Sequence, residues 1–273
     1  MLQVSRLFIY PIKSLGGIEV ASARVTDRGF EHDRRWMLVD ANNRFLSQRE
    51  FGQMALIRTA ITGEGIEVEH IHHPGKGITI PFKPQSGEDG NFTVWDDTCY
   101  GQYVSEEADE WFSEMLRTTC RLVYMPDHSR RLVEEKYRVD DEITSFSDAY
   151  PFLMLGEATV RHLNSKLGTQ LSMNRFRPNI VFTGSDAHFE DAMAHIQISG
   201  VDFYGVKLCA RCNIITIDQD TAEQSKEPTR TLATYRAKNN KIYFGQNLLH
   251  KGEGTIYVGN PITVLQTKET IFD

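Results

Sequence analysis

The run Leu208-Cys209-Ala210-Arg211-Cys212-Asn213 puts two thiols and a guanidinium within four residues. It lies between a strand-like stretch, 201–208, and a second β-branched run, 214–217, that also reads as a strand. A thiolate there is a soft-metal donor, and the neighbouring arginine favours the ionised sulfur. Other chemistries fit less well. A thioredoxin-like pair belongs at a helix N-terminus, which this spacing does not offer. Structural zinc needs two more ligands, and Cys99 and Cys120 stand alone. Two small hydrophobes packed in a barrel remain an open alternative, because free cysteine is often buried; Arg211 argues against it.

Two other polar clusters invite a chemical reading. In Glu69-His70-Ile71-His72-His73, His70 and His72 share one face of a short strand, but Pro74-Gly75-Lys76-Gly77 follows at once. Solvated loop histidines are therefore expected rather than ligands. Asp218 and Asp220 are expected to shape a turn.

The elements that must position such a site are mostly strands. Between 2 and 104 short apolar runs alternate with Gly, Asn and Asp turns, the pattern of a barrel or sandwich. Ala108, Trp111, Phe112, Met115 and Leu116 fall at helical spacing behind a capping Ser105, with Glu106 and Glu107 in the first turn. A polar segment, 126–144, is expected to be exposed or mobile. Val160, Leu163 and Leu167 predict a short helix with Gly168 as its C′ residue, and Pro228 suits the first turn of a third helix reaching Arg236. Strands return near 179–182, from 196 onward and at 255–265. The fold class is β-rich α+β, in two parts: a β-barrel-like region over 1–120 and a second β-barrel domain over 121–273 with a few helices.

With 273 residues, 40% of them hydrophobic, the chain can build a large core. A formal charge of −7 argues against general nucleic-acid binding, which needs a basic face, so any anion site must be built locally. Four cysteines and no evident leader suggest a cytoplasmic protein without a disulfide scaffold. Nothing approaches 18 consecutive apolar residues, so no membrane span is expected.

Six motifs occur in order: Tyr10-Pro11-Ile12-Lys13-Ser14, Asp33-Arg34-Arg35-Trp36, Ser147-Asp148-Ala149-Tyr150-Pro151-Phe152-Leu153, Asn174-Arg175-Phe176-Arg177-Pro178-Asn179, Cys209-Ala210-Arg211-Cys212 and Gly254-Thr255-Ile256-Tyr257-Val258-Gly259-Asn260-Pro261. Together they resemble the MOSC-domain proteins with an N-terminal β-barrel region, the family of the mitochondrial amidoxime-reducing component and its bacterial relatives. The resemblance implies a molybdenum cofactor whose metal is bound by Cys212 rather than Cys209. It puts Lys13, Ser14 and Arg34 at the cofactor's phosphate and Arg177 and Asn179 on the pterin. Asp148, Ala149 and Tyr150, together with Ala210 and Arg211, are placed around it. The chemistry agrees: a thiolate suits a metal already held by dithiolene sulfurs, an arginine clamps two phosphate oxygens at once, and a pterin edge asks for paired donors and acceptors. The chain departs from the mitochondrial proteins at Ala149-Tyr150, where they carry Thr-Ser.

By the same resemblance the expected activity is reduction of N-hydroxylated small molecules, amidoximes or hydroxylaminopurines, to amines or amidines plus water. The metal performs the bond cleavage and the protein supplies position and electrostatics. No cysteine cluster suited to an iron–sulfur centre follows the last strand, so electrons are expected from a separate redox protein. Two rival readings are a non-catalytic cofactor binder or carrier, and a sulfur-transfer protein in which Cys212 or Cys209 carries persulfide.

Overall fold

The computed structural model describes residues 1–272. Its largest sheet runs in the order Ile18–Val20, Gln3–Ile9, Ile180–Thr183, Phe152–Gly156, Lys241–Lys251, Val201–Ala210, Met193–Ile198, Ile262–Thr267, so the first strand of the chain is seated among strands from its second half. Neighbours are antiparallel except Phe152–Gly156 and Ile180–Thr183, whose parallel pairing is made by a crossover through α2 (Glu157–Asn164). A second sheet joins Trp36–Val39, Arg121–Tyr124, Asp97–Tyr103 and Asp89–Val94. Residues on either side of position 120 therefore share sheets: Gln3–Ile9 pairs with Ile180–Thr183, and Ser22–Thr26 with Gly254–Tyr257.

The helix α1 (Glu106–Leu116) forms as its spacing requires. The Ser105 side chain accepts from Ala108 N at 3.2 Å, acidic residues fill the first turn, and Arg117 ends the helix in the left-handed region. Its buried face, Ala108, Phe112, Met115 and Leu116, packs with Trp36, Leu38 and Leu122. Burial of one such side chain is worth about 1.5–3 kcal/mol, which outweighs the intrinsic preference of an 11-residue segment.

Several expectations are corrected by packing. The run 214–217 is not a strand: Asn213–Thr216 is a 3₁₀ turn that buries Ile214 and Ile215. There β-branched composition marks burial rather than sheet pairing. Gly168 does not cap α2, which ends at Asn164 with Ser165 in right-handed conformation. The third helix is only Thr229–Ala233, short of Arg236, whose guanidinium is instead buried against Asp191. The polar segment 126–144 is not simply exposed, since it forms the hairpin Arg131–Leu132 with Ile143–Thr144 and buries Ser129, Arg131 and Val133. His70 is likewise buried, with Nδ1 accepting from His72 N at 3.2 Å. No group of three or more metal-ligating side chains occurs among the described residues. The expected turn does form: Asp218 Oδ1 accepts from Asp220 N and Thr221 N.

One buried carboxyl behind the crossover gives stability a pH dependence. Glu190 is fully buried, accepting from Thr159 Oγ1 at 2.9 Å and Gly156 N at 3.3 Å. Burial, then the charge of Asp191, pushes it up to about 7. Because the unfolded chain ionises this group first, the folded state loses stability as pH rises from the ordinary carboxylate range through 7. Glu190→Gln removes that loss. Melting curves are expected to show the variant matching the parent near pH 4 and gaining on the order of 2 kcal/mol by pH 8, because one proton is worth at most about 1.4 kcal/mol for each pH unit crossed. A gain confined to acidic pH would contradict this.

Candidate functional site

Strand ends of the largest sheet converge on a cavity of about 240 Å³. Its wall takes the segment after Gln3–Ile9, those before Phe152–Gly156 and Ile180–Thr183, and the end of Val201–Ala210. All eleven residues singled out from the sequence reach it: Lys13, Ser14 and Arg34 from the first half, Asp148, Ala149 and Tyr150 from one loop, Arg177 and Asn179 from another, and Ala210, Arg211 and Cys212 from the last.

The wall is cationic in a chain of net negative charge. Lys13, Arg34, Arg177, Lys207 and Arg211 line it, and Asp148 is the one carboxylate among the described lining residues. Lys13 is buried and donates from Nζ to Phe146 O at 2.8 Å and Asp148 Oδ1 at 2.7 Å. Burial lowers its ammonium to about 8, with Asp148 offsetting part of the effect. Arg34 donates from Nη1 to Asp33 Oδ2 at 2.6 Å and to Asn179 Oδ1 at 3.1 Å. Arg177 anchors on Leu15 O at 2.7 Å, and burial lowers its guanidinium to about 10. Both guanidinium carbons lie 4.3 Å from the centre of the Tyr10 ring, a cation–π arrangement that holds two like charges in one wall.

Backbone strain concentrates at the same place. Ser14, Arg34 and Arg177 all have positive φ, at 66°, 50° and 56°. For residues with a Cβ this costs about 1–3 kcal/mol each, and it persists only where the surroundings over-determine it. Those surroundings are visible. Gln48 Nε2 holds Ser14 O at 2.7 Å, and Gln48 and Gln219 bond reciprocally through their amides. Gly17 is obligatory beside them, because a Cβ there would stand 2.3 Å from Tyr10 Cε1.

Two of these residues make contacts that their places in the sequence do not suggest. Arg211 does not serve Cys212: its Nη1 donates to Cys209 Sγ at 3.2 Å and its Nη2 to Phe176 O at 2.8 Å. Burial raises the Cys209 thiol, and Arg211 offsets part of that rise. Asn179 spends its amide on the protein, accepting from Arg34 and Leu153 N and donating to Phe8 O, so it positions Arg34 and the strand ends. Cys212 itself immediately precedes the turn Asn213–Thr216 and is half-buried in the wall.

Sequence reasoning missed Arg131. Its guanidinium reaches Ser145 O, Ser147 O and Asp148 O at 3.0, 2.5 and 3.0 Å, and Asp97 Oδ2 at 2.8 Å, pinning the loop that presents Asp148 to Tyr150. Its only signal was an arginine inside an otherwise polar segment. Asp33 belongs to a motif that assigns it no role, yet it is buried and accepts from Tyr10 N as well as Arg34.

Comparison with known proteins agrees with this architecture. Residues 1–119 match the family model of the MOSC N-terminal beta barrel domain, and 141–263 that of the MOSC domain. The chain is 31% identical to human "Mitochondrial amidoxime-reducing component 1" over 96% of its own length and 82% of that protein's. It is 28% identical to "Molybdenum cofactor sulfurase" of Bombyx mori, over 98% of this chain but 35% of that protein. Among solved structures, the YUAD protein from Bacillus subtilis aligns over 96% of this chain and 94% of that one, at 10% identity and a TM-score of 0.44. No helix among the described residues is long and apolar enough to cross a membrane. With a strand-rich fold, both domain matches and relatives named for amidoxime reduction and for the molybdenum cofactor, the chain belongs to the MOSC-domain family with an N-terminal MOSC β-barrel.

Proposed function

We propose that the chain is a molybdenum-cofactor-dependent reductase of N-hydroxylated small molecules. The observation that carries this is the convergence, in one cavity, of a half-buried cysteine with a strained cationic wall. The donor set fits the cofactor: Cys212 offers the soft ligand, Lys13, Ser14 and Arg34 suit a phosphate, and Arg177 suits a heteroaromatic edge. When bound, the cofactor supplies two-electron reduction with acceptance of the substrate's oxygen. The protein's own contribution is positional. Arg34 is clamped by Asp33 and Asn179, Arg177 by Leu15 O, and the 148–150 loop by Arg131, so the wall arrives preorganised. A separate electron-donor protein and a cytoplasmic address belong to the same proposal; four free thiols favour a reducing compartment.

The test is to purify the chain from molybdenum-replete cells, quantify metal and released pterin, and assay the dithionite-reduced protein against an amidoxime. Stoichiometric molybdenum with turnover is expected. Protein that takes up no molybdenum would overturn the reading, and loaded protein without turnover would make it a cofactor carrier. A sulfur-transfer role has one observation in its favour, the Cys209 thiol held by Arg211 in the same cavity; a persulfide on either cysteine, seen by mass spectrometry, would select it.

A further inference from the structure

Lys13 is already spoken for. Its Nζ lies in the wall with the side chain 5% exposed, while the Asp148 side chain that neutralises it is 61% exposed at the mouth. A ligand phosphate and this carboxylate cannot share one ammonium without like-charge repulsion, and a desolvated lysine cannot be left unpaired. The carboxylate already has a second donor: Trp95 Nε1 donates to the same Oδ1 at 3.3 Å. Trp95 occupies the tip of the hairpin between Asp89–Val94 and Asp97–Tyr103 with φ of 59°, braced by Phe45 at a ring separation of 4.7 Å. Arg49 stacks on its ring at 4.1 Å. Neither a hydrogen bond nor an ion pair engages Arg49 among the described residues, its Nε is shielded from solvent, and its charge already helps hold the Asp148 carboxyl below the usual carboxylate range.

We propose that Asp148 is an exchangeable counter-ion: it neutralises Lys13 until an anionic ligand group enters the cavity, then gives up Lys13 and turns outward to Arg49 while keeping its hydrogen bond from Trp95 Nε1. This rests on reading the cavity as the seat of a phosphate-bearing cofactor. The backbone need not move, because Arg131 Nη2 holds Asp148 O at 3.0 Å while the exposed carboxylate rotates. Charge is conserved at each position: the phosphate replaces Asp148 on Lys13, and Asp148 satisfies Arg49. Trp95 and Arg49 thereby become positioning residues for an anion they do not touch.

The probe is inorganic phosphate, titrated by calorimetry into the full chain purified from cells that do not make the pterin. Asp148→Asn, which removes the competitor, is expected to bind phosphate about tenfold tighter than the parent, equivalent to about 1.4 kcal/mol. Asp148→Ala serves as a second variant with the same expected direction. Trp95→Phe combined with Arg49→Gln is expected to weaken the parent about fivefold and to leave the Asp148→Asn background unchanged, a coupling that a merely structural role would not produce. If Lys13→Met abolishes binding but both Asp148 variants bind no tighter than the parent, the exchange is wrong and the phosphate seat stands. If Lys13→Met leaves affinity unchanged, or no variant binds phosphate, the seat itself is wrong and the exchange falls with it.

Discussion

Cys212→Ser is expected to lose bound molybdenum and amidoxime reduction together, while Cys209→Ser keeps both. A serine hydroxyl is a hard, protonated donor where a soft anion is required. The loss should exceed about 100-fold in turnover, since even the outer partners of metal ligands commonly carry about 10–100-fold. Cys209 is the informative control because it lines the same cavity and accepts a hydrogen bond from Arg211. Serine there still offers an acceptor to Arg211 Nη1, so the wall should survive. Metal content by plasma mass spectrometry and steady-state kinetics on the dithionite-reduced protein separate the outcomes. A Cys212→Ser variant that keeps its metal, or a Cys209→Ser variant that loses it, would transfer the ligand role to the other thiol.

The sequence made the site more legible than the route by which it is held. Lys13, Arg34, Arg177 and Cys212 come from segments far apart in the chain, yet short motifs identify them, and the fold brings them to one cavity. Helix α1 is equally plain, because capping and periodicity act within a dozen residues. What stays hidden is long-range. The pairing of Gln3–Ile9 with Ile180–Thr183 has no local signal, and neither does the Gln48–Gln219 amide pair that steadies Ser14. The 3₁₀ turn Asn213–Thr216 passes for a strand for a related reason: isoleucine at 214 and 215 reports burial, and only the surrounding fold decides which backbone buries it. Arg211 shows the limit in its sharpest form. Adjacency to Cys212 in sequence suggests one partner, and side-chain direction along the chain gives it Cys209.

Arg131→Met should therefore be among the most damaging substitutions outside the wall itself. Arg131 is buried, 4% exposed, and its guanidinium serves three carbonyls of one loop. Methionine fills much of the volume and donates nothing, leaving Ser145 O, Ser147 O and Asp148 O without this donor. Breaking a buried, multiply bonded charge costs about 3–5 kcal/mol, and the lower end applies because Asp97, its acidic partner, is half exposed. At about 2–4 °C per kcal/mol for a chain of this size, melting should fall by about 6–12 °C. Cofactor retention should fall further than stability alone requires, because the loosened loop carries Asp148, Ala149 and Tyr150. Arg131→Lys should restore part of the stability and less of the retention: an ammonium can reach one or two carbonyls, but it lacks the planar fork that fixes three. A melting point within about 2 °C of the parent in Arg131→Met, less than one kcal/mol on the same scale, would mean that the loop is held by its own hairpin, Arg131–Leu132 with Ile143–Thr144, and that the arginine only fills space.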